Sequence, residues 1–253
     1  MLTGAGCSTE SGIPDYRDAD GAWKRAKPLE YRAFLDDPHV RRRYWARSLV
    51  GWRRLRAARP NEAHRALARL EHLGRIERLV TQNVDGLHQS AGSIAVIDLH
   101  GRIDRVCCIG CGRLIEREAM QRELSRRNPD WADLDALDAP DGDADLDGLD
   151  FSSFDVPACD ACGGVLKPDV VFFGESVPPA RVATAMECLQ RADAMLIVGS
   201  SLMVYSGYRF ASAAAAAGRP IAAVNLGRTR ADPLLALKVE QPCGAALECI
   251  AAP

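Results

Sequence analysis

Short apolar runs that break into polar residues recur along the chain, and they predict the buried strands of a layered α/β fold. Leu79-Val80 runs into Thr81-Gln82-Asn83-Val84-Asp85-Gly86, and Val96-Ile97 runs into Asp98-Leu99-His100-Gly101. Met195-Leu196-Ile197-Val198 ends in Gly199-Ser200-Ser201, and Ile221-Ala222-Ala223-Val224 ends in Asn225-Leu226-Gly227. Runs this short and this apolar suit parallel strands covered on both faces. A sheet of that kind binds its ligand outside the carboxyl ends of its strands, which is where these polar residues fall. Helical patterns occupy the intervals. Asn61 caps a helix through Leu73, with Ala63, Leu67 and Leu70 on one face and Gly74 as its stop. Further helices are predicted over Pro179–Arg191 and Ser206–Ala217, the second stopped by Gly218. Val170-Val171-Phe172-Phe173-Gly174-Glu175 reads as another apolar strand breaking into a loop.

Composition narrows the setting. Nearly half of the 253 residues are hydrophobic, which supports a sizeable core and excludes global disorder. A net charge of −2 and a pI near 6.2 argue against nucleic-acid binding driven by charge. No apolar run reaches the ~18 residues of a membrane span, and the N-terminus lacks the layout of a secretory signal. A cytoplasmic protein is expected, and in that compartment nine cysteines favour metal or thiol chemistry over disulfides.

Candidate chemistry begins at Gly4-Ala5-Gly6. Two glycines one residue apart let the backbone turn tightly against a phosphate. The third position of the usual dinucleotide fingerprint is Thr9, and no strand ending in an acid follows about 20 residues on, so hydride-transferring dehydrogenases are disfavoured. Asp15-Tyr16-Arg17 then place a carboxylate, a ring and a guanidinium on a loop suited to covering a nucleotide. Gln82, Asn83 and Asp85 supply an amide pair and a carboxylate at one strand end. His100 stands at the next, with a glycine behind it to let a substrate approach. A histidine there is either a general base near neutral pH or a loop tie, and its position alone leaves both open.

Two CxxC knuckles follow, Cys108-Ile109-Gly110-Cys111-Gly112 and Cys159-Asp160-Ala161-Cys162-Gly163. Four thiolates so arranged suit a tetrahedral Zn²⁺, and with every position filled by cysteine the metal is structural. Redox-active pairs are the rival reading, although one pair would suffice for that chemistry. Cys107 reads as a spectator, and Cys188 and Cys249 as core thiols. Between the knuckles, ten aspartates lie from Asp130 to Asp155. With no glutamate at the closing position this is no EF-hand loop, and a partly mobile acidic excursion is expected. A basic, aromatic segment, with eight arginines from Arg41 to Arg59 interleaved with Tyr44, Trp45 and Trp52, reads first as a solvated helix with its rings turned inward.

The stretch GAGCSTESGIPDYR at residues 4–17, TQNVDGLH at 81–88 and DLHG at 98–101 resemble the sirtuins, the NAD-dependent protein deacylases. The resemblance extends over the whole chain, and YWARSLVGW and LKPDVVFFGE are most similar to the class II branch. It implies an α/β fold with a doubly wound parallel (Rossmann-like) sheet, residues 1–103 and 165–253, and a small inserted zinc-binding module with the acidic insert, residues 104–164. It implies that an acyl-lysine carbonyl oxygen attacks the nicotinamide-bearing ribose carbon and nicotinamide leaves. His100 then takes a proton from a ribose hydroxyl, which attacks the resulting imidate and yields lysine and O-acyl-ADP-ribose. NAD is consumed as a co-substrate. Asn83 and Asp85 would serve the nicotinamide and catalytic ribose. Gly4, Ala5 and Gly6 would serve the phosphates. Gly199, Ser200, Ser201 and Asn225 would serve the adenosine side, with Gly227 beside them and a backbone contact at Cys243. Thr9, Asp15, Tyr16, Arg17 and Gln82 complete the implied cofactor set. Val170 and Phe173 would meet the acyl-lysine substrate. Tyr44 and Arg47 match a Tyr-x-x-Arg spacing that reads an acyl carboxylate in relatives removing acidic acyl groups. The implied partners are acyl-lysine proteins, with neither nucleic acid nor membrane. Mono-ADP-ribosyl transfer from the same pocket, and a non-catalytic NAD- and zinc-binding module, are the alternatives. Because a glycine turn of this kind is usually fed by a strand of about five residues and only three precede Gly4, a start further upstream is expected.

Overall fold

The computed structural model describes every residue except 25–27, 135–136, 140–142, 147 and 252–253. The chain opens with strand β1 (Leu2–Thr3), helices α1 (Tyr31–Asp36), α2 (Pro38–Ala57) and α3 (Glu62–His72), and strand β2 (Leu79–Thr81). There follow α4 (Leu87–Ser90), β3 (Val96–Asp98), β4 (Gly101–Cys108), β5 (Leu114–Glu116), α5 (Arg117–Arg127) and α6 (Pro129–Ala132). Strands β6 (Leu137–Ala139), β7 (Asp143–Asp145) and β8 (Leu166–Val170) precede α7 (Pro179–Arg191) and β9 (Met195–Val198). The chain continues through α8 (Tyr205–Ala216), β10 (Ile221–Val224), β11 (Leu237–Val239) and α9 (Cys243–Ala251). No helix among the described residues is long and apolar enough to cross a membrane.

Two compact units share the chain, one of residues 1–27, 59–100 and 177–253, the other of residues 28–58 and 101–176. The second therefore takes in residues 28–58, 101–103 and 165–176 besides the 104–164 expected for the inserted module.

The first unit is a six-stranded parallel sheet in the order β11-β10-β9-β1-β2-β3. Alternation along each strand divides its apolar side chains between two faces. Leu2, Val80, Ile197 and Ile221 pack with Ala185 of α7 and with Phe210, Ala211 and Ala214 of α8. Leu79, Val198 and Val224 pack with Ala63, Leu67 and Leu70 of α3 and with Leu247 of α9. Helices on both faces make the sheet doubly wound, as expected. Strand β1 is only two residues long yet pairs on both edges, Leu2 standing beside Val80 and Ile197. The order of connection reverses at β1, so the ends of β1, β2 and β9 open onto one crevice, the place where such sheets bind ligands. β3 and β11, the two edge strands, depart from the buried pattern: all three residues of β3 are half-exposed, and Leu237 of β11 is exposed.

Asn61 caps α3 through its side chain, accepting from the backbone N–H groups of Ala63 and His64, while the His64 ring reaches back to the Asn61 N–H. This reciprocal cap satisfies N-terminal donors that would otherwise be orphaned.

The second unit is built on the antiparallel sheet β5-β4-β8. Helix α2 turns Trp45, Ala46, Leu49 and Val50 into its core, as the aromatic–arginine pattern predicts. Arg117 is also buried there. It donates to the Ser48 carbonyl and hydroxyl at 3.0 and 3.1 Å and lies over the Trp45 and Trp52 rings. Burial lowers its pKa to about 10.

Two expectations need correction here. The apolar strand expected to start at Val170 and break into a loop lies earlier, over Leu166–Val170, and the loop begins directly after it, because Lys167 and the Phe172 N–H both bond Glu175 and fold the following residues into a turn. Gly101 does not open space for a substrate. Its φ is +86°, and a Cβ there would lie 2.1 Å from the Asp169 carbonyl oxygen. Within the acidic insert, β6 and β7 pair, and Ala144, Leu146, Phe151 and Phe154 are buried in the unit's core; part of the insert lies outside the described residues.

Candidate active site

The floor of the crevice is made by strand ends meeting without side chains between them. The Gly4 N–H donates to the Val198 carbonyl at 3.1 Å and the Gly6 N–H to the Gly199 carbonyl at 2.8 Å. A Cβ on Gly4 would stand 2.7 Å from the Ser200 Cβ, and one on Gly199, at φ +60°, would stand 2.3 Å from the Cys7 nitrogen. Only glycine fits these approaches. The chain then makes two single turns, Ala5–Cys7 and Thr9–Ser11, with the Thr9 hydroxyl donating to the Gly6 carbonyl at 3.0 Å.

The end of β2 supplies the polar wall. Asn83 is buried, and its amide donates to the Gly4 carbonyl at 3.1 Å and the Ser8 hydroxyl at 3.0 Å. The Ser8 hydroxyl in turn donates to Asp85 at 2.7 Å. The other Asp85 oxygen accepts from the Leu87 N–H at 2.9 Å, which ties it to the start of α4. Asn83, Ser8 and Asp85 are thus one network joining the glycine turn to β2. Gln82 bridges the other way, donating to the Thr3 carbonyl at 3.2 Å and the Ser200 hydroxyl at 2.7 Å.

His100 is held at both ring nitrogens. Its Nδ1 lies 2.9 Å from the Gln82 carbonyl and its Nε2 lies 2.8 Å from the Ser206 hydroxyl. A carbonyl oxygen only accepts, so Nδ1 carries the proton of the neutral ring and Nε2 keeps the basic lone pair. The pKa falls to about 4, because burial disfavours the charged ring. The Gln82 carbonyl opposes that shift, and Arg181 and Arg209 add to it. The ring is therefore neutral at physiological pH.

Beneath this floor lies a second polar group. His64 and His88, both fully buried, pack with ring centroids 4.8 Å apart and planes tilted by 55°. His88 Nε2 lies 2.9 Å from the Thr3 hydroxyl, and His64 Nε2 lies 3.4 Å from that of Ser8. Burial lowers the pKa of His64 to about 4 and that of His88 to about 3. His64 is also tied into the cap of α3, its Nδ1 accepting from the Asn61 N–H at 3.3 Å. Ser8 and His88 escaped the sequence reading although they lie within the distinctive motifs. A hydroxyl two residues after Gly6 was the available signal for Ser8.

The remaining predicted residues spread around the rim. Asn225 uses its amide on the Leu226 and Gly227 carbonyls at 2.9 and 3.3 Å. Ser201 is half-buried. The Cys243 thiol points at the Gly6 carbonyl, 3.8 Å away, and burial raises its pKa to about 11. Asp15, Tyr16 and Arg17 belong to a loop closed on itself. Asp15 pairs with Lys24, Tyr16 packs edge-on against Trp23, and the Arg17 guanidinium lies 3.7 Å above the Trp23 ring.

In the second unit the four knuckle cysteines come together as predicted, with one ligand atom of each within 4.8 Å of the others. Cys108 and Cys162 are 3.5 Å apart at sulfur, and Cys111 and Cys159 are 3.8 Å apart. A backbone N–H from Cys111 pulls the Cys108 pKa down to about 6, while that of its hydrogen-bonded partner Cys162 is raised to about 12. Val170 is buried, and its carbonyl accepts from Lys167. The Phe173 carbonyl accepts from the Tyr31 N–H at 2.8 Å. Tyr44 packs edge-on against Phe34, Trp45 and Phe172, with ring centroids 5.3 to 5.5 Å apart, and Arg47 is half-buried on the next turn of α2.

The sequence pattern of the Sir2 family matches residues 4–206. The chain is 68% identical over 247 residues to a protein of Bradyrhizobium diazoefficiens named NAD-dependent protein deacetylase 2, covering 98% of this chain and 90% of that one. It is 64% identical over all 253 residues to a Xanthomonas campestris pv. campestris protein named NAD-dependent protein deacetylase, covering 86% of it. Among solved structures, one described as "Sir2-p53 peptide-NAD+" superposes with a TM-score of 0.77 at 31% identity, covering 98% of this chain and 90% of that one. Another, described as "Sir2 bound to acetylated peptide", gives 0.76 at 31% identity over the same shares.

Proposed function

The chain belongs to the Sir2 family, and from that premise we propose that it is an NAD-dependent protein lysine deacetylase with His100 as its general base. The observation that carries the assignment of the base is the fixed tautomer of His100, Nδ1–H on the Gln82 carbonyl and a lone pair on Nε2.

The residues fit NAD. Gly4, Gly6 and Gly199 let the ends of β1 and β9 close into backbone contact, where any Cβ would clash, and the turns after Gly4 present backbone amides of the kind that bind phosphate. NAD, when bound, supplies the ribose carbon and hydroxyls to which the acyl group passes, with nicotinamide as leaving group. Asn83 and Asp85, locked to each other through Ser8, set the polar wall beside the base. Gln82 orients His100 through its carbonyl while its amide holds Ser200. Ala5, Thr9 and the loop of Asp15, Tyr16 and Arg17 flank the phosphate turn. Ser201, Asn225, Gly227 and Cys243 lie on the side assigned to adenosine. A pKa near 4 keeps His100 unprotonated throughout the neutral range.

The cysteines support a zinc site. Sulfurs 3.5 and 3.8 Å apart match the edge of about 3.8 Å that a tetrahedron with 2.3 Å Zn–S bonds would have. Cys108, Cys111, Cys159 and Cys162 leave no open position, so the zinc holds structure and takes no part in chemistry. Val170 and Phe173 are proposed to meet the acyl-lysine, and Tyr44 with Arg47 to read its acyl end.

Incubating the protein with NAD and acetyl-lysine peptides tests the function. Nicotinamide, free lysine and acetylated ADP-ribose should appear in equal amounts. ADP-ribose left on protein, without deacetylation, would assign a transferase instead.

A further inference from the structure

The reading of His100 as base leaves one question of geometry. A neutral imidazole has a single in-plane lone pair, and here it already accepts a hydrogen bond from Ser206, with Nε2 and Oγ 2.8 Å apart. The other ring nitrogen is committed to the Gln82 carbonyl. No substrate proton reaches Nε2 directly while that serine stays in place.

The serine is held firmly. It sits in the first turn of α8, and the next residue, Gly207, is buried against Gln82, where a Cβ would lie 2.4 Å from the side-chain carbonyl oxygen. Gln82 also bonds the Ser200 hydroxyl, which accepts from the Leu202 N–H at 3.3 Å. Leu202 has φ +54°, the single left-handed non-glycine residue among those described. A left-handed leucine costs about 1–3 kcal/mol and persists only where its surroundings fix it. The segment from Ser200 to Gly207 is thus pinned at both ends to the residue that orients His100.

The geometry points to Ser206 as a proton relay in this deacetylase, carrying the proton from the substrate hydroxyl to His100. The inference rests on His100 being the base. A hydroxyl has one proton to give and two lone pairs to receive. The substrate O–H bond breaks as its proton moves to Ser206 Oγ, and the Ser206 O–H bond breaks as that proton moves to Nε2. The serine ends as it began, His100 becomes the imidazolium, and the substrate oxygen gains the electron pair with which it attacks. Nicotinamide departs before this transfer in the order implied above, so a relay defect should spare that earlier step.

The test uses the full chain with Ser206→Ala and Ser206→Thr. The first readout needs no turnover. In ¹⁵N spectra of the free enzyme, Ser206→Ala should move the His100 Nε2 resonance and leave Nδ1 nearly unchanged. Deacetylation should then fall by ~10–100-fold, at or below the low end of a general-base defect. Nicotinamide exchange into NAD should stay near the wild-type rate. Ser206→Thr, which keeps the hydroxyl, should restore most of the lost rate. The relay is overturned if deacetylation survives in Ser206→Ala, whether or not Nε2 shifts. It is also overturned if exchange, deacetylation and melting temperature all fall together and threonine rescues none of them. Failure of the underlying reading looks different, because His100→Ala would then keep its deacetylation rate.

Discussion

The cysteine tetrad and the surroundings of His100 are assembled from different amounts of chain. Each CxxC knuckle is closed within four residues by its own turn, so two local structures need only be brought together for one ligand atom of each cysteine to lie within 4.8 Å of the others. His100 draws its partners from the end of β2 and the start of α8, and the network beside it adds the turn after β1. No two of those segments are neighbours in sequence. A site of the first kind would stand or fall with the zinc proposed for it, because loss of that metal would remove its organising bonds. A site of the second kind stands on the parallel sheet, and single side chains can be removed from it while the frame persists.

Stripping the metal should have the largest effect. Elemental analysis is expected to find one zinc per chain, and structural zinc sites carry roughly 10–16 kcal/mol of binding free energy. Chelation or Cys111→Ser should therefore loosen the second unit and lower the melting temperature sharply. Fully reduced protein without zinc that melts at the same temperature would defeat the assignment. Next in size is His100→Ala, expected to cost ~10²–10⁴-fold in deacetylation with little change in melting temperature or NAD affinity. Near-normal turnover would leave His100 a loop tie.

Acid should distinguish the two regions again. His64 and His88 are buried, with pKa values held at about 4 and about 3, whereas an unfolded histidine titrates near 6.5. Between those values the unfolded chain binds protons that the folded one refuses, so stability is fully present above pH 6.5 and falls as pH drops toward 4. The slope is about 1.4 kcal/mol per pH unit for each group. Urea unfolding from pH 7 to 4.5 should show it, and His88→Gln should flatten it by one group's share. A flat profile in the unmodified protein would show that these rings do not resist protonation. The smallest effect is expected from Ser8→Ala, which removes a hydroxyl shared by Asn83 and Asp85. Losing such a partner costs about 1–3 kcal/mol, which should appear as weaker NAD binding in calorimetry. Unchanged affinity would place that network outside the cofactor site.

Much of the candidate site was legible because its signals are local. Glycines at 4 and 6, the amides and carboxylate after β2, and the paired cysteines announce themselves by type and spacing. What was not legible depended on partners far along the chain. Ser206 read only as the start of an alanine-rich helix, and nothing near it in sequence indicates that its hydroxyl meets His100. Gly101 looked like room for a substrate and instead receives the Asp169 carbonyl, a residue on β8. Asp15, Tyr16 and Arg17, proposed to flank the phosphate turn, also tie their own loop together through Lys24, Trp23 and Gly21, partners the motif itself does not indicate.

The sequence by itself determined the family, the parallel strands, the helix caps and the tetrad, because periodicity, capping and ligand spacing act over a few residues. Tertiary structure alone decided the tautomer of His100, the partner of its lone pair, the buried histidine pair and the extent of the second unit. Those depend on which strand ends the sheet brings together, and hydrogen bonds between them form only once its order is set.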